Sequence, residues 1–215
     1  MAESLRITEI FYSLQGETRT MGLPTVFVRL TGCPLRCTWC DSEYSFHGGT
    51  VRSLDDILAE VSSYQPRYVT VTGGEPLAQP NAWPLMRALC DAGFEVNLET
   101  SGAIDIAGVD PRVSTVMDLK APGSGEDSRN RLENLAQLTA NDQLKFVLAD
   151  RADYEWARMQ LDLHALNGRV GELLFSPVHG QLNPRQLADW IVADNLPVRM
   201  QLQMHKYLWG EEPGH

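Results

Sequence analysis

The chain has 215 residues, of which 43% are hydrophobic and 21% charged, and its formal net charge is −10. This is the composition of one globular domain with a sizeable core. No uncharged apolar run nears the roughly 18 residues of a membrane helix, and an acidic chain repels phosphate backbones, so neither a membrane nor nucleic acid is an expected partner. The first residues, MAESLRITEI, lack the basic and apolar regions of a secretory signal, which points to the cytoplasm. Strands are expected at Thr25–Thr31, Tyr68–Thr72, Phe94–Leu98, Thr115–Leu119, Leu144–Leu148, Glu172–Ser176 and Val198–Gln203, where β-branched apolar runs end in turn residues. Helices are expected after Ser53, with Leu54, Ile57, Leu58 and Val61 on one stripe, after Asn81 up to Gly93, and after Asn183, where Pro184 takes the first helical position. Such alternation implies right-handed crossovers and a parallel sheet. A full (β/α)8 barrel takes about 250 residues, and this chain spends 32–50 on a loop. The expected fold is α/β: an incomplete (β/α) TIM-type barrel of about six parallel strands, one domain over 1–215, with loop 32–50 after the first strand. A doubly wound open sheet has the same periodicity and stands as the alternative.

Of the four cysteines, Cys33, Cys37 and Cys40 fall within eight residues, while Cys90 stands apart in the helical pattern WPLMRALC as a small buried hydrophobe. Where thiols stay reduced, a tight trio reads as metal ligation before disulfide. The spacing C-x-x-x-C-x-x-C lets three thiolates reach one face of a cube. A 4Fe–4S cluster usually takes four cysteines, so three leave one iron open to a further ligand. Zinc held by the three cysteines and His47 is the competing reading, although zinc ligands usually come as two separated pairs. One strand later, Thr72-Gly73-Gly74-Glu75-Pro76 places two glycines where backbone approaches a ligand closely, at the strand end where barrel enzymes build their sites.

With Trp39 as its aromatic residue, C-x-x-x-C-x-aromatic-C followed by GGEP resembles the radical S-adenosylmethionine superfamily. LQGE (14–17), FVRLTGC (27–33), CDSEYSF (40–46), TGGEP, NLETSG (97–102), MDLKAPGSG (117–125) and MHKY (204–207) resemble the 7-carboxy-7-deazaguanine synthase family over nearly the whole chain. The resemblance implies a 4Fe–4S cluster on Cys33, Cys37 and Cys40, with S-adenosylmethionine and Mg2+ as further cofactors. The implied reaction is a radical ring contraction of 6-carboxy-5,6,7,8-tetrahydropterin, with loss of ammonia, in queuosine (deazapurine) biosynthesis. It also implies a homodimer and an electron donor such as flavodoxin or ferredoxin.

Residue by residue, the resemblance places the substrate on Leu14, Gln15, Gly16, Arg29, Thr72, Glu99 and His205. S-adenosylmethionine falls to Trp39, Cys40, Asp41, Gly74 and Glu75, and further to Asp118, Lys120, Ser176 and His179. Mg2+ falls to Ser42, where many relatives carry threonine. Arg29 suits a carboxylate because its planar fork offers two parallel donors. No acidic residue lies within four positions of it, so the substrate is its expected partner. The chain departs from the family at Thr18, where glycine is common, and in running to His215 past the usual end. Plainer readings stand beside these: Arg29 as a structural ion pair, Glu99 as a turn cap, Asp118 with Lys120 as a surface pair, His205 as an edge residue, and His164 as structural. A glycyl-radical-enzyme activase shares the cysteine spacing and GGEP, but has no evident use for LQGE with Arg29.

Overall fold

The computed structural model describes residues 3–210, 212 and 214. A nine-stranded sheet has the order β3-β1-β2-β4-β5-β6-β7-β8-β9. Its strands are β1 (Ser4–Leu14), β2 (Pro24–Leu30), β3 (Thr50–Ser53), β4 (Tyr68–Gly73), β5 (Glu95–Thr100), β6 (Ser114–Asp118), β7 (Gln143–Leu148), β8 (Glu172–Pro177) and β9 (Arg199–Met200). From β2 through β4 to β9 every neighbour is parallel. The expected parallel sheet is therefore present, with β9 as a seventh, two-residue parallel strand.

At one edge β1 runs antiparallel to both β2 and β3. This corrects the expectation that the cysteine loop follows the first strand: it follows the second. In β1 the pairing register slips between Ile7 and Glu9, a bulge that breaks the alternation by which a strand announces itself. The four-residue β3 is too short for a periodic signal.

Period-two alternation sorts each parallel strand into two faces. Val26, Val28, Leu30, Val69, Val71, Val96 and Leu98 join the core, packed with Ile57, Val61, Leu85 and Leu89 of the outer helices. Burying each such side chain is worth roughly 1.5–3 kcal/mol. The intervening Arg29, Thr72 and Glu99 point to the barrel interior, as do Asp118 and Lys145. The helices are α1 (Leu54–Ser63), α2 (Ala82–Asp91), α3 (Arg151–Leu163), α4 (Pro184–Ala193) and the short α5 (Met204–Leu208).

Ser53 caps α1 by accepting from the Asp56 amide at 3.1 Å, and Asn183 caps α4 from the Arg185 amide at 2.9 Å. Asn81 does not cap α2; its side-chain amide donates to the Ser4 carbonyl at 2.8 Å instead. The crossovers after β5 and β6 lack α-helices, because Gly-, Pro- and Asp-rich runs (IDIAGVDPR, PGSGEDSRN) replace the helical pattern.

Candidate active site

The C-terminal ends of the parallel strands open into a cavity of about 780 Å3, the end where barrel enzymes place their chemistry. Its floor is built by the loop after β1. Gln15 is buried and donates through Nε2 to Thr70 Oγ1 at 3.1 Å and to Glu99 Oε1 at 3.2 Å, while its Oε1 accepts from the Glu17 amide at 3.1 Å. Thr72 Oγ1 donates to the other Glu99 oxygen at 3.0 Å. Glu17 forms an ion pair with Lys145 of β7. The loop is tied across the barrel by the Arg19 amide to Gln143 (2.7 Å) and by Gln201 Nε2 to the Thr18 carbonyl (2.8 Å).

Burial pushes the Glu99 carboxyl above the usual range, and the neighbouring Glu17 carboxylate adds to this. Burial works against the charge of Lys145, but Glu17, Asp118 and Glu99 outweigh it and hold the ammonium protonated. Burial lowers His205, favouring the neutral imidazole. Sequence reasoning passed over Lys145. A lysine on the interior face of the apolar strand LKFVL was the available signal, the same one that drew notice to Arg29.

Arg29 lies on the cavity wall opposite Glu9 of β1, and its Nε donates to Glu9 Oε1 at 2.7 Å. This corrects the expectation that its only partner comes from outside: the acid is twenty residues away in sequence but directly across the antiparallel pair. Glu9 also accepts from Tyr44 Oη at 2.8 Å. Burial, with Glu9, pushes the Tyr44 phenol up to about 12. Among the described residues no hydrogen bond takes the Nη atoms of Arg29.

Cys33, Cys37 and Cys40 are free thiols that share one wall of the cavity with Trp39, Asp41 and Ser42. Burial pushes the Cys33 and Cys37 thiols up, with Lys120 pulling the other way. The GGEP turn braces this loop from behind. Gly73 and Gly74 line the cavity, and a Cβ on Gly74 would strike Cys33 and come within 2.6 Å of the Gly32 carbonyl. The Glu75 amide donates to that carbonyl at 2.9 Å. On the remaining wall, Lys120 Nζ sits 2.7 Å from Asp118 Oδ2, whereas Asp118 Oδ1 is buried with no partner among the described residues. Asp41 accepts from Gln203 Nε2 at 2.9 Å and lies 3.6 Å from Lys206 Nζ.

Two expected contacts are corrected. Glu75 is fully buried and faces away from the cavity; its carboxylate accepts from the Leu77 amide (3.0 Å), the Ser101 amide (2.8 Å) and the Thr100 and Ser101 hydroxyls (2.9 and 2.5 Å). Ser176 is buried below the cavity wall, and Val178 and His179 line it instead. Leu14, Gly16 and His205 line the cavity. His47 is exposed and off the wall, so zinc on three cysteines would lack its fourth ligand here.

The radical SAM superfamily pattern is matched by residues 27–116. A 7-carboxy-7-deazaguanine synthase of Koribacter versatilis (strain Ellin345) is 46% identical, over 97% of this chain and 98% of its own length. The chain belongs to the 7-carboxy-7-deazaguanine synthase family. A family member from Chlorobaculum tepidum is 45% identical over 97% of this chain and 96% of its own. The crystal structure of QueE from Escherichia coli has the same fold, with a TM-score of 0.77 at 24% identity over 94% of this chain and 95% of that one. This likeness settles the incomplete barrel against the doubly wound sheet.

Membership of this synthase family within the radical SAM superfamily implies a 4Fe–4S cluster and S-adenosylmethionine, and the residues fit both. Three unpaired thiols face one cavity, and the glycine behind them leaves backbone flush with the wall. Among the described residues no three His, Cys, Asp or Glu side chains converge on a single-ion site. Thiolates of a cluster bind separate irons and need no common point. No helix among the described residues is long and apolar enough to cross a membrane.

Proposed function

We propose that this protein converts 6-carboxy-5,6,7,8-tetrahydropterin to 7-carboxy-7-deazaguanine with release of ammonia, in deazapurine (queuosine) synthesis. The carrying observation is that one cavity joins the cysteine wall to a polar floor of Gln15, Thr72 and Glu99 and to the guanidinium of Arg29. Bound together, the cluster on Cys33, Cys37 and Cys40 and S-adenosylmethionine would supply radical chemistry at C6 of the substrate. The protein's own residues bind and orient. Arg29 grips the substrate carboxylate through its Nη atoms while Glu9 steadies Nε. Gln15, Glu99 and the backbone of Leu14 and Gly16 meet the donor–acceptor edge of the pterin.

S-adenosylmethionine would be held against Gly74, Trp39, Asp41 and His179, which line the cavity, beside the Asp118–Lys120 pair. Ser42, whose Oγ is 3.8 Å from Cys40 Sγ, offers Mg2+ a hard oxygen, the other ligands being water and substrate. The enzyme works in the cytoplasm, takes its electron from a small redox protein and pairs as a two-fold dimer that covers the open sheet edges.

The test is anaerobic reconstitution with iron and sulfide, then incubation with S-adenosylmethionine and the carboxylated pterin. A product with the mass of 7-carboxy-7-deazaguanine is expected, at a rate that rises with Mg2+. Cleavage of S-adenosylmethionine with the pterin recovered unchanged would overturn the reading.

A further inference from the structure

Tyr44 is a large side chain left 58% exposed, on the single 3-10 turn Glu43–Ser45 that follows the cysteines. Its neighbours in sequence do the packing. Ser45 is fully buried; its carbonyl accepts from the Gly32 amide at 2.8 Å and its hydroxyl donates to the Ser42 carbonyl at 2.7 Å. The Phe46 ring lies under the Arg36 guanidinium, 4.3 Å from its centroid, and Arg36 Nη1 donates to the Cys33 carbonyl at 2.8 Å. The turn is thus pinned to the cysteine loop on both sides of Tyr44, while Tyr44 itself projects to the β1–β2 pair. There its Oη donates to Glu9 Oε1 at 2.8 Å, and the guanidinium carbon of Arg29 lies over its ring, 5.7 Å from the centroid.

Glu9 Oε1 therefore carries two donors from separate elements, Tyr44 Oη and, at 2.7 Å, Arg29 Nε. An arginine and a carboxylate often pair side by side through two parallel N–H···O bonds, the stronger arrangement. This pair makes one, through Nε, and among the described residues no hydrogen bond takes the Nη atoms. The ion pair is closed at one point only, at a place where Arg29, Glu9 and Tyr44 all line the cavity.

We infer that Tyr44 is a positioning residue that keeps Glu9 in this one-point pairing and so leaves the outer donors of Arg29 to a substrate carboxylate. The inference rests on the reading above, in which Arg29 grips that carboxylate. Two donors fix Oε1, and the swing that would bring the second Glu9 oxygen onto an Nη atom has to strain one of them. Without the Tyr44 hydroxyl the swing is unopposed, and Glu9 competes with the substrate for the same two donors. Tyr44 thereby favours ligands with a planar anion over neutral ones of the same shape, because only the anion needs both donors.

The experiment measures anaerobic binding of 6-carboxy-5,6,7,8-tetrahydropterin, and of tetrahydropterin without the carboxylate, to four reconstituted proteins: parent, Y44F, E9A and the double variant. Phenylalanine keeps the ring over Arg29 and removes only the hydroxyl. Y44F is expected to bind the carboxylated pterin about fivefold more weakly, the scale of one net hydrogen bond, and the neutral pterin as the parent does. In turnover the loss appears in KM and not in kcat. In the double variant the phenylalanine adds nothing to E9A, since the hydroxyl acts through Glu9. Iron content holds in Y44F. Unchanged affinity in Y44F, an equal loss for both pterins, or the same fivefold loss with Glu9 already removed would each overturn the inference. A parent that binds the two pterins equally would instead count against the grip of Arg29 on the carboxylate in the proposed reaction.

Discussion

Glu9 and Arg29 face each other across the β1–β2 pair and share a 2.7 Å hydrogen-bonded ion pair at the cavity wall. The pairing changes what Arg29 does. A buried guanidinium needs a counter-charge, and Glu9 supplies one before any ligand arrives, so Arg29 is preorganised for an anion at its remaining donors. Arg29→Ala is expected to weaken binding of the carboxylated pterin by about 2–5 kcal/mol, the cost of truncating one partner of a buried charge pair. Arg29→Lys recovers only part, since an ammonium lacks the two-point fork. Anaerobic calorimetry on both variants, with iron content alongside, measures this. Parental affinity in the alanine variant would leave Arg29 a partner of Glu9 alone.

Glu75 belongs to the scaffold. Its carboxylate collects the Leu77 and Ser101 amides and the Thr100 and Ser101 hydroxyls, joining the ends of β4 and β5 behind the cysteine loop. Glu75→Ala leaves several buried donors unpaired, at about 1–3 kcal/mol each before relaxation and not additively. Urea denaturation is expected to show a loss of at least about 3 kcal/mol. S-adenosylmethionine affinity in the fraction that remains folded should change little. A variant of parental stability that cannot bind S-adenosylmethionine would return Glu75 to the cofactor site.

The parallel strands, the cysteine wall and most of the cavity residues were legible because they obey local rules: period-two alternation, ligand spacing and glycines at strand ends. What escaped notice is non-local. The Glu9–Arg29 pair depends on an antiparallel register, and β1 hid behind its bulge. The direction of the Glu75 side chain depends on one donor in its own turn, the Leu77 amide, and on three from Thr100 and Ser101, a contact between segments that no motif encodes. Lys145 was readable in principle, as a charge on the interior face of a strand, but its partner Glu17 lies 128 positions away.

Thr18 is strained. It is buried with φ +65°, in the left-handed region that costs an L-residue roughly 1–2 kcal/mol. The loop that carries Gln15 turns at this residue, a conformation that glycine adopts without strain. Thr18→Gly trades that strain against the greater chain entropy of glycine, about 0.5–1 kcal/mol, and against the 3.0 Å contact of Thr18 Oγ1 with Thr20 Oγ1. The expected net gain is up to about 1 kcal/mol, a rise in Tm of roughly 2–4 °C, with iron content unchanged. A fall in Tm would mean that the hydroxyl contact outweighs the backbone strain.

Glu99 gives the protein a pH dependence of definite sign. Burial first, and Glu17 second, raise its carboxyl above the ordinary glutamate value of about 4.3. The native state therefore keeps the proton over a window in which the unfolded chain has lost it. The associated stability is full below about pH 4.3 and is lost as pH rises through the raised native value. Other groups act differently. Burial works to raise Asp41, but Gln203, Lys206 and Lys145 outweigh it, so Asp41 titrates at lower pH. His205, lowered by burial, contributes the opposite slope. The difference between parent and Glu99→Gln isolates the Glu99 share: urea unfolding between pH 4 and 7 is expected to show the variant gaining on the parent steadily as pH rises above about 4.3. Lys145 and Arg29 limit that gain, because both favour the ionised form. Parallel curves for the two proteins across this window would show that Glu99 keeps its ordinary proton affinity despite its burial on the cavity floor.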